Sequence, residues 1–123
     1  MSKILYGEPV AKNLDSQSKN IFQEYTTKHD TPPLLTAITV GDNPASLLYV
    51  SVKEKKAEKL GVNFNWIKLK ETTLESELED AISEHSKSSQ GMIIQLPLPE
   101  HLNVEKVIDL IPNEIDVDGL TTL

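Results

Sequence analysis

Short apolar segments alternate with stretches of helical periodicity along the whole chain. Segments 34–40 and 91–96 are short and apolar, and segment 62–69 alternates around Phe64, Trp66 and Lys68, so each of the three predicts a strand. The stretches before and between them repeat apolar residues every three or four positions, which predicts helices. With a last extended segment at 115–120, the predicted order is α-β-α-β-α-β-α-β. This alternation favours an α/β fold of three αβα layers around a mostly parallel sheet.

Capping residues mark where the predicted helices begin and end. Asn43 suits an N-cap with Pro44 at the first helical position, and Gly61 suits the residue that follows the last turn. Thr72 and Glu75 have the spacing of a capping box, which predicts the start of the next helix. In such a fold, ligands bind beyond the carboxyl ends of the strands, so the polar residues that follow each strand are candidates for function.

Length and charge limit what the chain can do. Its 123 residues suit a single domain over 1–123. Twelve basic and 19 acidic residues give a net charge of −7, which argues against nucleic acid or a membrane surface as the partner. The absence of cysteine excludes a disulfide scaffold, a thiolate zinc site and a cysteine nucleophile. Since no apolar run approaches the ~20 residues of a membrane span, we expect a soluble, cytoplasmic domain.

The first candidate group lies on the helix that follows Asn43. Ser46, Tyr49 and Lys53 share one helix face, close to the carboxyl end of a predicted strand. A lysine beside a tyrosine in a partly closed cleft can exchange a proton and serve as acid or base. Six lysines lie between positions 53 and 70, however, so a solvated charged face explains the same spacing. From spacing alone, that second interpretation is the better one.

The second candidate is Gln95, which follows the predicted strand at 91–96 and precedes Pro97 and Pro99. Its neutral amide can donate and accept hydrogen bonds at once, and the prolines stiffen the loop behind it. An ordinary strand exit explains the residue equally well.

The third candidate is the pair Asp116 and Asp118. Two carboxylates two positions apart on an extended segment face the same side and could hold a metal or the donor groups of a ligand. No histidine lies nearby, and acidic pairs beside a glycine are common in turns, so a metal is weakly supported. The chain also lacks the glycine-rich fingerprint of a dinucleotide site.

Together the three groups resemble the signatures of the bifunctional methylenetetrahydrofolate dehydrogenase/methenyltetrahydrofolate cyclohydrolase family. The first signature matches residues 40–46 with Tyr49 and Lys53, the second matches residues 91–99, and the third matches residues 116–119. The resemblance implies a catalytic domain that binds tetrahydrofolate. The family oxidises 5,10-methylenetetrahydrofolate with NAD(P)+ and hydrolyses the methenyl product to 10-formyltetrahydrofolate.

The resemblance also implies a role for each matching residue. Lys53 matches the catalytic lysine, Tyr49 the tyrosine that stacks on the folate, Gln95 the glutamine that contacts the lysine, and Asp118 the aspartate that binds the pterin. The residues implied to line the folate pocket are Ser46, Tyr49, Val50, Ser51, Val52, Lys53, Ile94, Gln95, Leu96, Pro97 and Asp118.

Family members also have a C-terminal NAD(P)-binding domain, which we expect to be absent from this chain. The resemblance therefore implies no cofactor site and no metal here, no dehydrogenase activity of the chain alone, and the possibility of a homodimer. Two alternatives from other functional classes stay open: a non-catalytic folate-binding or dimerisation module, and an acidic α/β interaction domain.

Overall fold

The computed structural model describes the backbone of residues 8–116 and the side chains of residues 17–116. Its helices and strands follow the predicted alternation, and they are α1 (Glu8–His29), β1 (Leu34–Val40), α2 (Pro44–Leu60), β2 (Asn63–Leu69), α3 (Glu75–Ser86), β3 (Gly91–Ile94) and α4 (Val104–Ile108). A 3-10 turn over Asn113–Ile115 follows α4. Within the described part of the chain, no helix is both long and apolar enough to cross a membrane.

The strands form one parallel sheet in the order β2-β1-β3. The central strand β1 pairs with β2 over its whole length, and residues 35–38 pair with β3. β3 is shorter than the predicted segment 91–96. Gln95 still donates its N–H to the carbonyl of Ile38 at 3.0 Å, but Pro97 has no N–H with which to continue the ladder. Of the predicted last strand at 115–120, the structure describes only the start, where Asp116 forms an isolated parallel bridge with Met92.

Helices cover both faces of the sheet, which confirms the three layers. On the face towards α2, Ala37 and Ile93 pack against Val50. The residues of the other core, towards α3 and α4, include Ile38, Val40, Met92 and Ile94 from the strands and Leu78, Ile82 and Val107 from the helices. Successive strand residues point to opposite faces, so the odd-numbered residues of β1 lie on the α2 face and the even-numbered residues on the α3 face.

The caps of α2 lie where the sequence predicts them. The Asn43 side chain accepts a hydrogen bond from the N–H of Ser46 at 3.1 Å. Gly61 ends the helix with φ of +80° and donates its N–H to carbonyls of the last turn. A residue without a side chain adopts this left-handed conformation at little cost, so Gly61 turns the chain back towards β2.

The capping box predicted at the start of α3 is wrong. The helix begins at Glu75 with Leu74 as its N-cap, and the N–H of Leu74 donates to Glu77 Oε1 at 2.8 Å. Glu75 does not reach back to Thr72, because its carboxylate accepts the N–H of Asn103 at 3.0 Å instead. The side chain expected to cap α3 therefore fastens α3 to the start of α4.

Candidate active site

Two of the predicted groups meet at the carboxyl end of the sheet. Lys53, in the middle of α2, donates from Nζ to Oε1 of Gln95 at 2.9 Å, across 42 positions of sequence. Both side chains are half-buried. The helix that follows β1 and the loop that follows β3 thus bring a primary amine and a neutral amide together where ligands of such sheets bind.

Backbone and side-chain hydrogen bonds fix the orientation of the Gln95 amide. Its backbone N–H donates to Ile38 in the central strand, and its Nε2 donates to the carbonyl of Leu96 at 3.2 Å. An amide nitrogen donates and an amide oxygen accepts, so this arrangement directs Oε1 to Lys53. Gln95 therefore presents a neutral acceptor to the lysine nitrogen.

Ser46 ties the start of α2 to the same loop. Its side chain is 4% exposed, and its hydroxyl donates to the carbonyl of Leu96 at 3.3 Å. Since the hydroxyl is used within the protein, Ser46 holds the loop and the helix together next to the Lys53–Gln95 contact.

Tyr49 precedes Lys53 by one helical turn and lies on the same side of α2. Its side chain is 53% exposed, so the ring offers an open aromatic surface beside the lysine. An aromatic ring in this position can stack on a flat ligand.

Two of the predicted pocket residues place their side chains in the cores instead. Val50 of α2 is fully buried, because helical periodicity turns its side chain towards the sheet, against Ala37 and Ile93. Ile94 is 1% exposed and belongs to the core on the α3 face, because strand alternation points it away from its neighbour Gln95. These side chains support the site from below rather than line it.

The remaining predicted residues differ in accessibility. Ser51 and Leu96 are half-buried, whereas Val52 and Pro97 are exposed. Asp118 lies outside the described residues, so its role stays a prediction. Among the described residues, no cluster of three histidine, aspartate or glutamate side chains could hold a metal ion.

Sequence reasoning missed a polar group on the α2 face, next to the site. Trp66 donates from Nε1 to the hydroxyl of Thr39 at 3.0 Å, and Thr39 is 2% exposed. The ammonium of Lys68 lies 4.3 Å from the centre of the Trp66 ring, in cation–π contact. Strand alternation could have assigned Thr39 and Trp66 each to one face of the sheet. The register of β1 and β2 that brings the two side chains together cannot be read from the sequence.

A cavity of about 490 Å³ continues from the site along α2 towards the amino ends of the strands. Its walls are mainly apolar and include Phe22 of α1, Ala57 and Leu60 of α2 and Ile93 of β3. Lys53 lines this cavity and also contacts Gln95, so the lysine lies where the cavity meets the site.

Sequence comparison finds relatives over almost the whole chain. A family described as tetrahydrofolate dehydrogenase/cyclohydrolase, catalytic domain, matches residues 5–118. A bifunctional protein FolD of Francisella philomiragia is 41% identical over 118 residues, which are 94% of this chain and 42% of that protein. The FolD protein of the Wolbachia of Brugia malayi is 38% identical over 97% of this chain and 41% of its own length. The chain thus spans about two fifths of the length of these relatives.

Solved structures give the same result for the fold. The FolD methylenetetrahydrofolate dehydrogenase/cyclohydrolase of Campylobacter jejuni superposes with a TM-score of 0.85 at 31% identity, over 93% of this chain and 41% of that one. A 5,10-methylenetetrahydrofolate dehydrogenase of the silkworm Bombyx mori gives a TM-score of 0.86 at 29% identity, over 95% of this chain and 41% of that one.

Proposed function

The chain belongs to the tetrahydrofolate dehydrogenase/cyclohydrolase family, through that family's catalytic domain, and on this premise we propose that it carries the folate site of a bifunctional enzyme. That enzyme oxidises 5,10-methylenetetrahydrofolate with NAD(P)+ and hydrolyses the 5,10-methenyl product to 10-formyltetrahydrofolate. The observation that carries the proposal is the 2.9 Å contact between Lys53 Nζ and Gln95 Oε1 at the carboxyl end of the sheet.

In the proposed hydrolysis, Lys53 moves protons. Water attacks the methenyl carbon, a C–O bond forms, and a water proton passes to the amine nitrogen Nζ of Lys53. The bond from this carbon to N5 then breaks as the ammonium returns a proton to N5, and the hydroxyl proton leaves to solvent as the formyl group forms on N10. Gln95 Oε1 accepts an N–H of the lysine in both protonation states, so it holds the nitrogen in place throughout.

Two other side chains would bind the folate, and a third would support the site. The open ring of Tyr49 would stack on the aromatic part of the substrate, beside Lys53. Asp118 would accept from the N–H donors of the pterin, as the family resemblance implies. Ser46 would act indirectly, by holding the Leu96 carbonyl and hence the loop that carries Gln95.

The described residues do not fit a nicotinamide dinucleotide. The turn from β1 into α2 contains one glycine, Gly41, and then Asp42, Asn43 and Pro44. A dinucleotide site needs a glycine-rich turn whose free N–H groups face the pyrophosphate, and the N–H of Gly41 already donates to Leu69 at 2.9 Å. We therefore derive no hydride transfer from this chain. A cytoplasmic location and a homodimer stay predictions.

The proposal is tested by hydrolysis of 5,10-methenyltetrahydrofolate, followed as loss of the methenyl absorbance. We expect turnover above buffer that Lys53→Ala lowers at least about 100-fold, the usual range for loss of an acid–base group. The matched control is Lys55→Ala, which removes an exposed lysine two positions further along α2 and should keep the wild-type rate. Equal rates for the wild type and Lys53→Ala would contradict the proposed chemistry.

One observation favours a second candidate, a folate-binding module without turnover. Tyr49 is 53% exposed, so the described residues leave this side of the site open to water. A titration with tetrahydrofolate separates the candidates, because the module predicts saturable binding with a buffer-like rate. Absence of both binding and turnover would instead favour an acidic interaction domain.

A further inference from the structure

Thr39 lies at the carboxyl end of the central strand, between the two strands that flank it. It pairs with Lys68 of β2 in the sheet register. On the other side, Ile38 pairs with Ile94, and the N–H of the next residue, Gln95, donates to the Ile38 carbonyl. Thr39 and Gln95 are therefore lateral neighbours, one residue beyond the last pair of β1 and β3. Thr39 therefore lies beside Gln95 in the sheet, at the end where Gln95 meets Lys53.

The Thr39 hydroxyl has a defined role in its hydrogen bond. An indole N–H can only donate, so Thr39 Oγ1 is the acceptor of the 3.0 Å bond from Trp66. Thr39 is 2% exposed, so no bulk water competes for this bond. A β-branched side chain has few rotamers, and the bond from Trp66 selects among them. Trp66, the only tryptophan of the sequence, thus fixes the side chain next to Gln95.

We propose that Trp66 and Thr39 are positioning residues of the site: the indole N–H holds the Thr39 hydroxyl, and Thr39 forms the wall that keeps the Gln95 amide aimed at Lys53. This inference rests on the proposed function, because it assigns the pair a part in the lysine–glutamine chemistry. Neither residue touches the reacting atoms. Their effect is on geometry, and small displacements of a catalytic group are costly in rate.

Four variants separate positioning from simple stability. Thr39→Val removes the acceptor, Trp66→Phe removes the donor, and Thr39→Ser keeps a hydroxyl at the same place. The paired variant Thr39→Val with Trp66→Phe removes both partners, so no buried polar group is left without a bond and the fold regains stability. Phe64→Leu is the control, because Phe64 packs on the same core two positions before Trp66.

We expect Thr39→Val and Trp66→Phe each to lower the rate of methenyl hydrolysis by about three- to tenfold, the equivalent of one hydrogen bond. Thr39→Ser, which keeps the hydroxyl, should keep the wild-type rate. The paired variant should regain the melting temperature but not the rate, and its pH–rate profile should differ from the wild type. Phe64→Leu should lower the melting temperature and leave the pH–rate profile unchanged. A rate that recovers together with stability in the paired variant would overturn the proposal.

A second measurement tests the same proposal without turnover. The rate at which acetic anhydride acetylates Lys53 is read by peptide mass spectrometry relative to Lys55, which is exposed on the same helix. We expect this ratio to change by about twofold or more in Thr39→Val, in Trp66→Phe and in the paired variant, and not in Phe64→Leu. An unchanged ratio in all of them would overturn the positioning role. If the wild type itself shows no hydrolysis, the proposed function fails while this ratio still decides the inference.

Discussion

At the scale of single residues, the proposed chemistry depends on Gln95 being neutral. Its Oε1 accepts from Lys53 at 2.9 Å, as a carboxylate in the same place would. A carboxylate, however, would stabilise the ammonium form of the lysine by direct charge attraction. An amide holds the nitrogen without that charge attraction.

Gln95→Glu tests this argument with almost no change in shape. We expect an ion pair with Lys53 that keeps the lysine protonated, and a fall of at least about tenfold in methenyl hydrolysis near neutral pH. Gln90→Glu is the control: Gln90 Oε1 accepts the N–H of Leu34 at 2.7 Å, at the amino end of the sheet, and a carboxylate can accept it as well. A Gln95→Glu variant with the wild-type rate would show that the proton does not pass through Lys53.

The sequence predicted which polar side chains meet better than it predicted the face of the helix or strand on which each apolar neighbour lies. The rule that ligands bind beyond strand ends made Lys53 and Gln95 candidates, the family resemblance assigned them to one site, and these side chains meet. The resemblance also implied that Val50 and Ile94 line the pocket, but helical and strand periodicity turns their side chains into the cores. The bond from Trp66 to Thr39 depends on the register of β1 and β2, which the pattern of apolar residues does not reveal.

At the scale of elements, one carboxylate joins two helices. Glu75, at the start of α3, accepts the N–H of Asn103 before α4 and pairs with Lys106 within α4 at 3.2 Å. The Asn103 N–H, and then the Lys106 ammonium, lower the pKa of Glu75 below its ordinary value of 4.5. The hydrogen bond to Glu75 in turn raises the pKa of Lys106 above 10.5. These contacts favour the charged forms, and they exist only in the folded state.

This link predicts a pH dependence of stability. Because the pKa of Glu75 is lower when folded, its stabilising contribution is present above pH 4.5 and is lost as the pH falls through the folded value. We expect Glu75→Gln to lower the urea midpoint near neutral pH, and the difference from the wild type to shrink in acid. Glu84→Gln, which changes an exposed glutamate of α3, should show no such difference. A constant difference at every pH would contradict the link.

Capping chemistry shows how far element ends could be predicted. Asn43 and Gly61 act locally, on groups within a few residues, and both ends of α2 lie where the sequence placed them. Glu75 had the spacing of a cap, but a tertiary partner, the N–H of Asn103, uses its carboxylate. Local signals therefore predicted both ends of α2 and missed the start of α3, where Glu77 instead accepts the N–H of Leu74.

At the scale of the whole molecule, the central strand connects two cores. Ala37 packs on the α2 face and Ile38 on the α3 face, and both are fully buried. Neither helical layer can leave the sheet without exposing β1, so loss of packing on one face should be felt on the other. Trp66 lies on the α2 face, so its fluorescence reports on the packing of that layer.

A substitution on the far face tests whether the two cores unfold as one unit. Leu78 of α3 is fully buried, and Leu78→Ala should lower the free energy of unfolding by about 2–5 kcal/mol. Because small domains unfold cooperatively, unfolding followed by Trp66 fluorescence should show the same loss of free energy as unfolding followed by far-ultraviolet circular dichroism. Leu74→Ala is the control, because Leu74, the residue before α3, is 60% exposed. It should change the free energy of unfolding by no more than about 0.5 kcal/mol by either signal. If Leu78→Ala shifted the dichroism midpoint and left the Trp66 midpoint in place, the two faces would be separate units, and the position of Lys53 against Gln95 would depend on the α2 face alone.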